Sequence, residues 1–111
     1  MPRINASELR NVDLNLLLVF ATMMEEGTVT GTAARLYLTQ PAISASLSRL
    51  REVVGEDLFV RAGRGLAPTP RAHALFAEVR AGLHAMERGL FERTSFEPSA
   101  SSRVFRLGLP D

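Results

Sequence analysis

The sequence predicts a mostly α fold: three short helices, a two-stranded hairpin and a long fourth helix. Three observations predict it. Apolar residues recur at three- and four-residue spacing in separate stretches, the signature of helices that bury one side. Two of those stretches open on a threonine with a proline just behind it, at Thr39-Gln40-Pro41 and Thr69-Pro70. Proline suits a first turn because its missing N–H would have no partner there. Between them, Gly63-Arg64-Gly65 separates two short apolar runs, the pattern of a tight hairpin.

Taken in order, residues 1–12 are polar and read as frayed. Asp13 is placed to cap a first helix, Leu14–Glu26, in which Leu16, Leu17, Phe20, Met23 and Met24 make one apolar stripe before Gly27 ends it. A second helix spans about residues 30–37 with Thr30 as its cap. Its Ala33 and Ala34 are small enough to let another helix approach, and Leu36 and Leu38 are expected to face inward. Thr39 caps a third helix that runs to about Val54 and stops at Gly55.

That third helix has two faces. Ile43, Leu47, Leu50 and Val54 keep a strict core spacing. The opposite face carries Gln40, Ser44, Ser48 and Arg51, flanked by Ala45 and Arg49. These side chains are small or end in hydrogen-bonding groups, as a helix needs if it is to lie in a groove and reach base edges. An ordinary solvated face is the plainer reading, but such faces usually carry long Glu and Lys side chains, and this one mostly lacks them.

Leu58-Phe59-Val60-Arg61 reads as a strand, Ala62-Gly63-Arg64-Gly65 as a turn with two glycines able to take positive φ, and Leu66-Ala67-Pro68 as the returning strand. Arg61 and Arg64 then sit at the base and tip of a wing, in reach of a minor groove or of phosphates; a plain hairpin with exposed arginines is the common alternative. The fourth helix spans 70–93. Ala72, Phe76, Val79, Leu83, Met86 and Leu90 alternate spacings of four and three along it, which is a coiled-coil seam. Gly82 and Gly89 each weaken that helix by about 1 kcal/mol relative to alanine. A small domain can cover the start of this seam. Its full length calls for a second chain, so a homodimer through Phe76, Val79, Leu83, Met86 and Leu90 is expected. Residues 94–103 are rich in Ser and Pro and read as a hinge; 104–109 alternate apolar and polar like the first strand of a further domain. The expected organisation is 1–69, a unit suited to DNA binding; 70–93, a linker and dimerisation helix; and 94–111, hinge and first strand of a further, effector-binding domain.

Composition narrows the class. The chain has 111 residues, 46% of them hydrophobic, no cysteine and a net charge of +1. Disulfides, thiolate metal sites and a cysteine nucleophile are excluded. The longest apolar stretch, residues 14–24, is interrupted by Asn15 and Thr22 and is too short to span a bilayer, so a soluble, cytoplasmic chain without membrane contact is expected. The net charge says little, but its distribution says more. All 13 basic residues are arginine, and residues 30–71 hold Arg35, Arg49, Arg51, Arg61, Arg64 and Arg71 against Glu52, Glu56 and Asp57. Arginine offers a planar fork for phosphates or guanine edges; a solvated surface that happens to use arginine would look the same. For an enzyme the sequence offers little. His73 and His84 lie eleven residues apart on one helix, with no spaced partner to complete a triad or a metal site. No cofactor is expected. A pure dimerisation or adaptor module would fit the seam, but not the polar third-helix face or the arginine wing.

The same residues resemble a known family. Asp13-Leu14-Asn15-Leu16-Leu17 with Phe20 resembles the opening helix of LysR-type bacterial transcription regulators. Ala33-Ala34-Arg35-Leu36 with Thr39-Gln40-Pro41-Ala42-Ile43-Ser44 resembles their helix-turn-helix, and Leu58-Phe59-Val60-Arg61, Gly63-Arg64-Gly65 and Thr69-Pro70 their wing and linker helix. The likeness runs from about Val12 to Leu90. It implies a winged helix-turn-helix that binds a pseudo-palindromic operator in double-stranded DNA as a dimer. It further implies antiparallel linker helices and a small-molecule effector bound by a separate C-terminal domain. By position it implies major-groove contact for Gln40, Pro41 and Ser44, wing contacts for Arg61 and Arg64, and phosphate contact for Thr30 and Thr39. Two departures stand out: Ala45 follows Ser44 where a basic residue is usual, and Leu50-Arg51 replaces the usual Leu-Glu. With Thr69-Pro70-Arg71-Ala72 in place of the commoner Thr-Pro-x-Gly, these resemble the branch of nodulation regulators and regulators of aromatic-compound breakdown.

Overall fold

The computed structural model of the chain describes residues 2–92. Five helices and one hairpin follow in order: α1 (Ala6–Leu9), α2 (Leu14–Glu26), α3 (Val29–Leu36), α4 (Gln40–Val54), β1 (Phe59–Ala62), β2 (Gly65–Pro68) and α5 (Pro70–Phe91). The mostly α, winged helix-turn-helix architecture expected from the sequence is the one present. The hinge and strand expected at 94–111 lie outside the described residues.

The helices start where side chains can satisfy backbone donors that have no partner within the helix. The Asp13 carboxylate accepts the Asn15 N–H at 2.9 Å to open α2. Thr39 does the same for Ala42 at 3.2 Å to open α4, and Thr69 for Ala72 at 3.2 Å to open α5. Gly27 and Gly55, with φ of +83° and +86°, end α2 and α4 in the left-handed region that favours glycine. Two sequence expectations shift here. The cap of α3 is Thr28, whose hydroxyl accepts the Gly31 N–H at 3.0 Å, so Thr30 lies inside the helix. And residues 1–12 are not wholly frayed, because Asn5 caps the four-residue α1 by accepting the Glu8 N–H at 3.2 Å.

The core lies where α2, α4 and the first half of α5 meet. Phe20, Met23, Ile43, Leu50 and Leu58 are its largest buried apolar groups, with Val19 and Leu47 around them. Phe20 makes edge-on contacts with Phe59 of the wing and Phe76 of α5, at centroid separations of 6.0 and 6.4 Å. One ring thus ties three elements together. Ala33 of α3 is buried, as close helix approach requires, whereas Ala34 is exposed. Leu36 packs against the core, but Leu38 is 45% exposed: it lies beyond the end of α3, where the chain turns out toward the start of α4. The turn is made by Tyr37, which adopts the left-handed conformation (φ +56°) and is 94% exposed.

The wing is antiparallel, with Phe59 opposite Pro68, Val60 opposite Ala67, Arg61 opposite Leu66 and Ala62 opposite Gly65. Gly63 and Arg64 are therefore the two turn residues. Gly63 alone takes positive φ (+59°), the requirement of a type II′ turn at its first central position; Gly65 belongs to β2 and does not share it. The Thr69 hydroxyl, besides capping α5, donates to the Asp57 carbonyl at 2.9 Å, which joins the two ends of the hairpin region.

The seam of α5 is divided. Ala72 and Val79 are buried, and Leu75, Phe76 and Leu83 pack against the core. Met86, Leu90 and Phe91 are exposed, Leu90 by 73%. Phe76 and Val79, expected in the dimer seam, thus pack against the chain's own core, and among the described residues the more exposed part of the stripe begins past Leu83. A Cβ added at Gly82 or Gly89 would meet nothing within 4 Å.

Candidate nucleic-acid interface

Helix α4 sets the site. Its apolar residues Ile43, Leu47 and Leu50 are buried, which fixes the helix against α2 and turns its other side to solvent. Gln40, Pro41, Ser44, Ala45, Ser48, Arg49 and Arg51 are all exposed, as the sequence predicted. From Gln40 to Ser48 this helix contains no ionisable side chain, so its leading turns offer one amide, hydroxyls and methyl groups. Thr30, within α3, and Thr39, at the head of α4, are exposed as well.

The wing lies beside α4. Arg61 and Arg64 are exposed on it. Between helix and wing runs an open groove of about 220 Å³, with Leu47, Leu58, Phe59 and Leu66 among its walls and Ser44, Ser48, Arg51 and Asp57 at its edges. The apolar wall holds the wing at a set distance from the helix, because Leu58 is fully in the core and Phe59 packs on Phe20.

The arginines of residues 30–71 divide into two groups. Arg35 is held by Glu25 at 2.7 Å and Glu26 at 3.1 Å. Those hydrogen bonds, the one to Glu25 foremost, raise its pKa above the ordinary guanidinium value. Arg51 pairs with Asp57 and Arg71 with Glu56, each at 3.5 Å. Arg49, Arg61 and Arg64 have no acidic partner among the described residues. The three unpaired cations occupy the later part of α4 and the wing. This pairing was not legible in the sequence, since the partners come from different elements. Sequence reasoning also missed Asp57, Phe59 and Leu66 as parts of the groove, and Tyr37 as an exposed aromatic at the turn. No local pattern marked Tyr37, since neither glycine nor asparagine stands at the end of α3. His73 and His84 are exposed on α5 and stand apart from this surface.

No helix among the described residues is long and apolar enough to cross a membrane.

Comparison with known proteins places this geometry. The family model described as bacterial regulatory helix-turn-helix protein, lysR family, matches residues 14–73, which run from the head of α2 into α5. Nodulation protein D 1 of Bradyrhizobium sp. (strain NC92) is 42% identical over 102 residues, which is 92% of this chain and 32% of that protein. The nodulation branch to which Ala45, Arg51 and Ala72 pointed is thus represented among the relatives. Among solved structures, a probable transcriptional regulator, PA0477, from Pseudomonas aeruginosa superposes with a TM-score of 0.71 at 38% identity, over 90% of this chain and 32% of that one. The BenM_DBD/benA site 1 DNA complex matches with a TM-score of 0.67 at 26% identity, over 71% of this chain and 89% of that one. The chain spans about a third of the length of the curated relatives it matches.

Proposed function

The chain belongs to the lysR family of bacterial regulatory helix-turn-helix proteins, and from that premise we propose that it is the sequence-specific DNA-binding part of a transcription regulator. In this reading residues 1–69 bind double-stranded DNA, 70–93 dimerise, and 94–111 lead into a domain that takes a small-molecule effector. Gln40, Pro41, Ser44, Ala45 and Ser48 of α4 enter the major groove; Arg49, Arg51, Thr30 and Thr39 contact phosphates; Arg61 and Arg64 of the wing meet the minor groove or its phosphates. One observation carries the reading: α4 buries Ile43, Leu47 and Leu50 while holding out a face without bulky or charged groups in its leading turns, beside a wing with unpaired arginines. A solvated face would have no reason to be so short, and an enzyme site would need convergent titratable groups.

The dimer rests on Met86, Leu90 and Phe91, apolar side chains that the described residues leave exposed. Two-fold pairing there would present two α4 helices to two half-sites of a pseudo-palindromic operator. The test is binding of the purified chain to DNA selected from a random pool, repeated over a salt series. Affinity should fall steeply with salt, and replacing Arg61 or Arg64 by Ala should flatten the slope by about 0.9 for each phosphate contact removed. Binding that ignores salt and sequence would leave a dimerisation module as the better description.

A further inference from the structure

The loop between α4 and β1 carries two consecutive acids, and each holds an arginine of a different helix: Glu56 holds Arg71 of α5, and Asp57 holds Arg51 of α4. Arg51 lies three residues after Ser48 and seven after Ser44, so all three share one face of α4. All three also edge the groove between helix and wing, with Asp57 among them. An anion at that place opposes the phosphates that the groove is proposed to approach.

We propose that Asp57 is a positioning residue for DNA binding: it holds the Arg51 guanidinium off the duplex, and binding exchanges the Asp57 carboxylate for a backbone phosphate. This rests on the DNA-binding reading above. The pair is open to exchange, because its Nη1–Oδ1 separation is 3.5 Å and the two side chains are 54% and 62% accessible; pairs so exposed are weak. Asp57 itself does not leave. Its carbonyl accepts the Thr69 hydroxyl at 2.9 Å, and the next residue, Leu58, is buried in the core. When Arg51 moves to a phosphate, the carboxylate therefore stays in the groove beside the duplex, where its added negative charge keeps a cation in the atmosphere of the DNA.

The salt dependence follows from that exchange. A lone arginine on a phosphate releases nearly one condensed cation. The Arg51–Asp57 pair releases one and recovers one, so its net contribution to the slope is close to nothing. Asp57→Asn removes the recovery. It should bind more tightly at low salt, with a slope of log affinity against log salt steeper by about 0.9. Its advantage over the unmodified chain should then shrink roughly threefold to fourfold between about 50 and about 200 mM salt. Asp57→Glu, which keeps the charge, should retain the original slope. In an Arg51→Ala background Asp57→Asn should leave the slope unchanged, because the carboxylate acts through the guanidinium. The measurement is fluorescence anisotropy of a labelled mixed-sequence duplex with the 111-residue chain. Equal slopes for Asp57→Asn and the unmodified chain would overturn the proposal, and so would equal steepening in the Arg51→Ala background, which would mean direct repulsion of DNA by Asp57. If the unmodified chain shows no salt-dependent binding at all, the DNA-binding reading falls and this inference falls with it.

Discussion

Helices α4 and α5 begin with the same device, a threonine hydroxyl that accepts the N–H three residues on, with proline in the first turn. Each then carries an apolar stripe along one side. The core covers the stripe of α4 over its whole length, from Ile43 to Val54, but covers that of α5 only as far as Leu83. The difference comes from length and placement. At about 1.5 Å per residue, the 22 residues of α5 outreach the small body formed by α2, α3 and α4. The polar side of α4 and the apolar end of α5 are thus two surfaces that the other described residues leave open. One is held rigid by burial behind it, and the other projects past its support.

The largest expected effect tests that contrast in the two stripes themselves. Leu50 is 1% exposed, and Leu50→Ala should lower the unfolding free energy by about 2–5 kcal/mol in urea denaturation. Leu90→Ala should change it by less than about 0.5 kcal/mol in dilute solution. Comparable losses at the two sites would erase the contrast. The caps come next. Thr39→Ala should cost about 1 kcal/mol. Thr69→Ala should cost more, up to about 2 kcal/mol, because the same hydroxyl also donates to the Asp57 carbonyl. A smaller effect still on folding is expected for Leu90→Glu, which should leave the unfolding midpoint in place in dilute solution, where association no longer adds to stability, while converting a dimer to a monomer in sedimentation at micromolar concentration. A monomer for both chains would take the dimer out of the account. Ser44→Ala should likewise do little to stability, within about 0.5 kcal/mol, yet should weaken binding to selected DNA more than to unselected DNA. Equal weakening of both would move Ser44 from base recognition to phosphate contact.

How much of this the sequence made legible depended on whether a feature was local. The bounds of α2 and the cap and exposed face of α4 could be read because caps, glycine stops and periodicity all lie within a few residues of one another. The cap of α3 could not be placed so well: Thr28 and Thr30 offer the same hydroxyl two residues apart, and only the bond to Gly31 decides between them. The four-residue α1 is too short to show a period, and its support is a single Asn5 cap. Leu38 was expected inside from its hydrophobicity, but it follows a left-handed residue that redirects the chain. The seam of α5 was legible as a seam, but where the core's cover ends was not, since that depends on how far α2 reaches along it. The ion pairs of Arg35, Arg51 and Arg71 join separate elements and left no mark in any local pattern.

The two open glycines of α5 have a consequence for how that helix opens. Gly82 and Gly89 touch nothing that needs their smallness, and both lie at or past the point where the core stops supporting the helix. Backbone amides there have little burial to protect them and a backbone that gains entropy on opening. Hydrogen–deuterium exchange should therefore grade along one unbroken helix: slow near Ala72 and Val79, where opening requires the whole domain to unfold, and fast beyond Gly82, where a turn can unwind alone. Whatever covers Met86 and Leu90 would slow exchange in those last turns first, so the end of α5 doubles as a built-in reporter of its own occupancy.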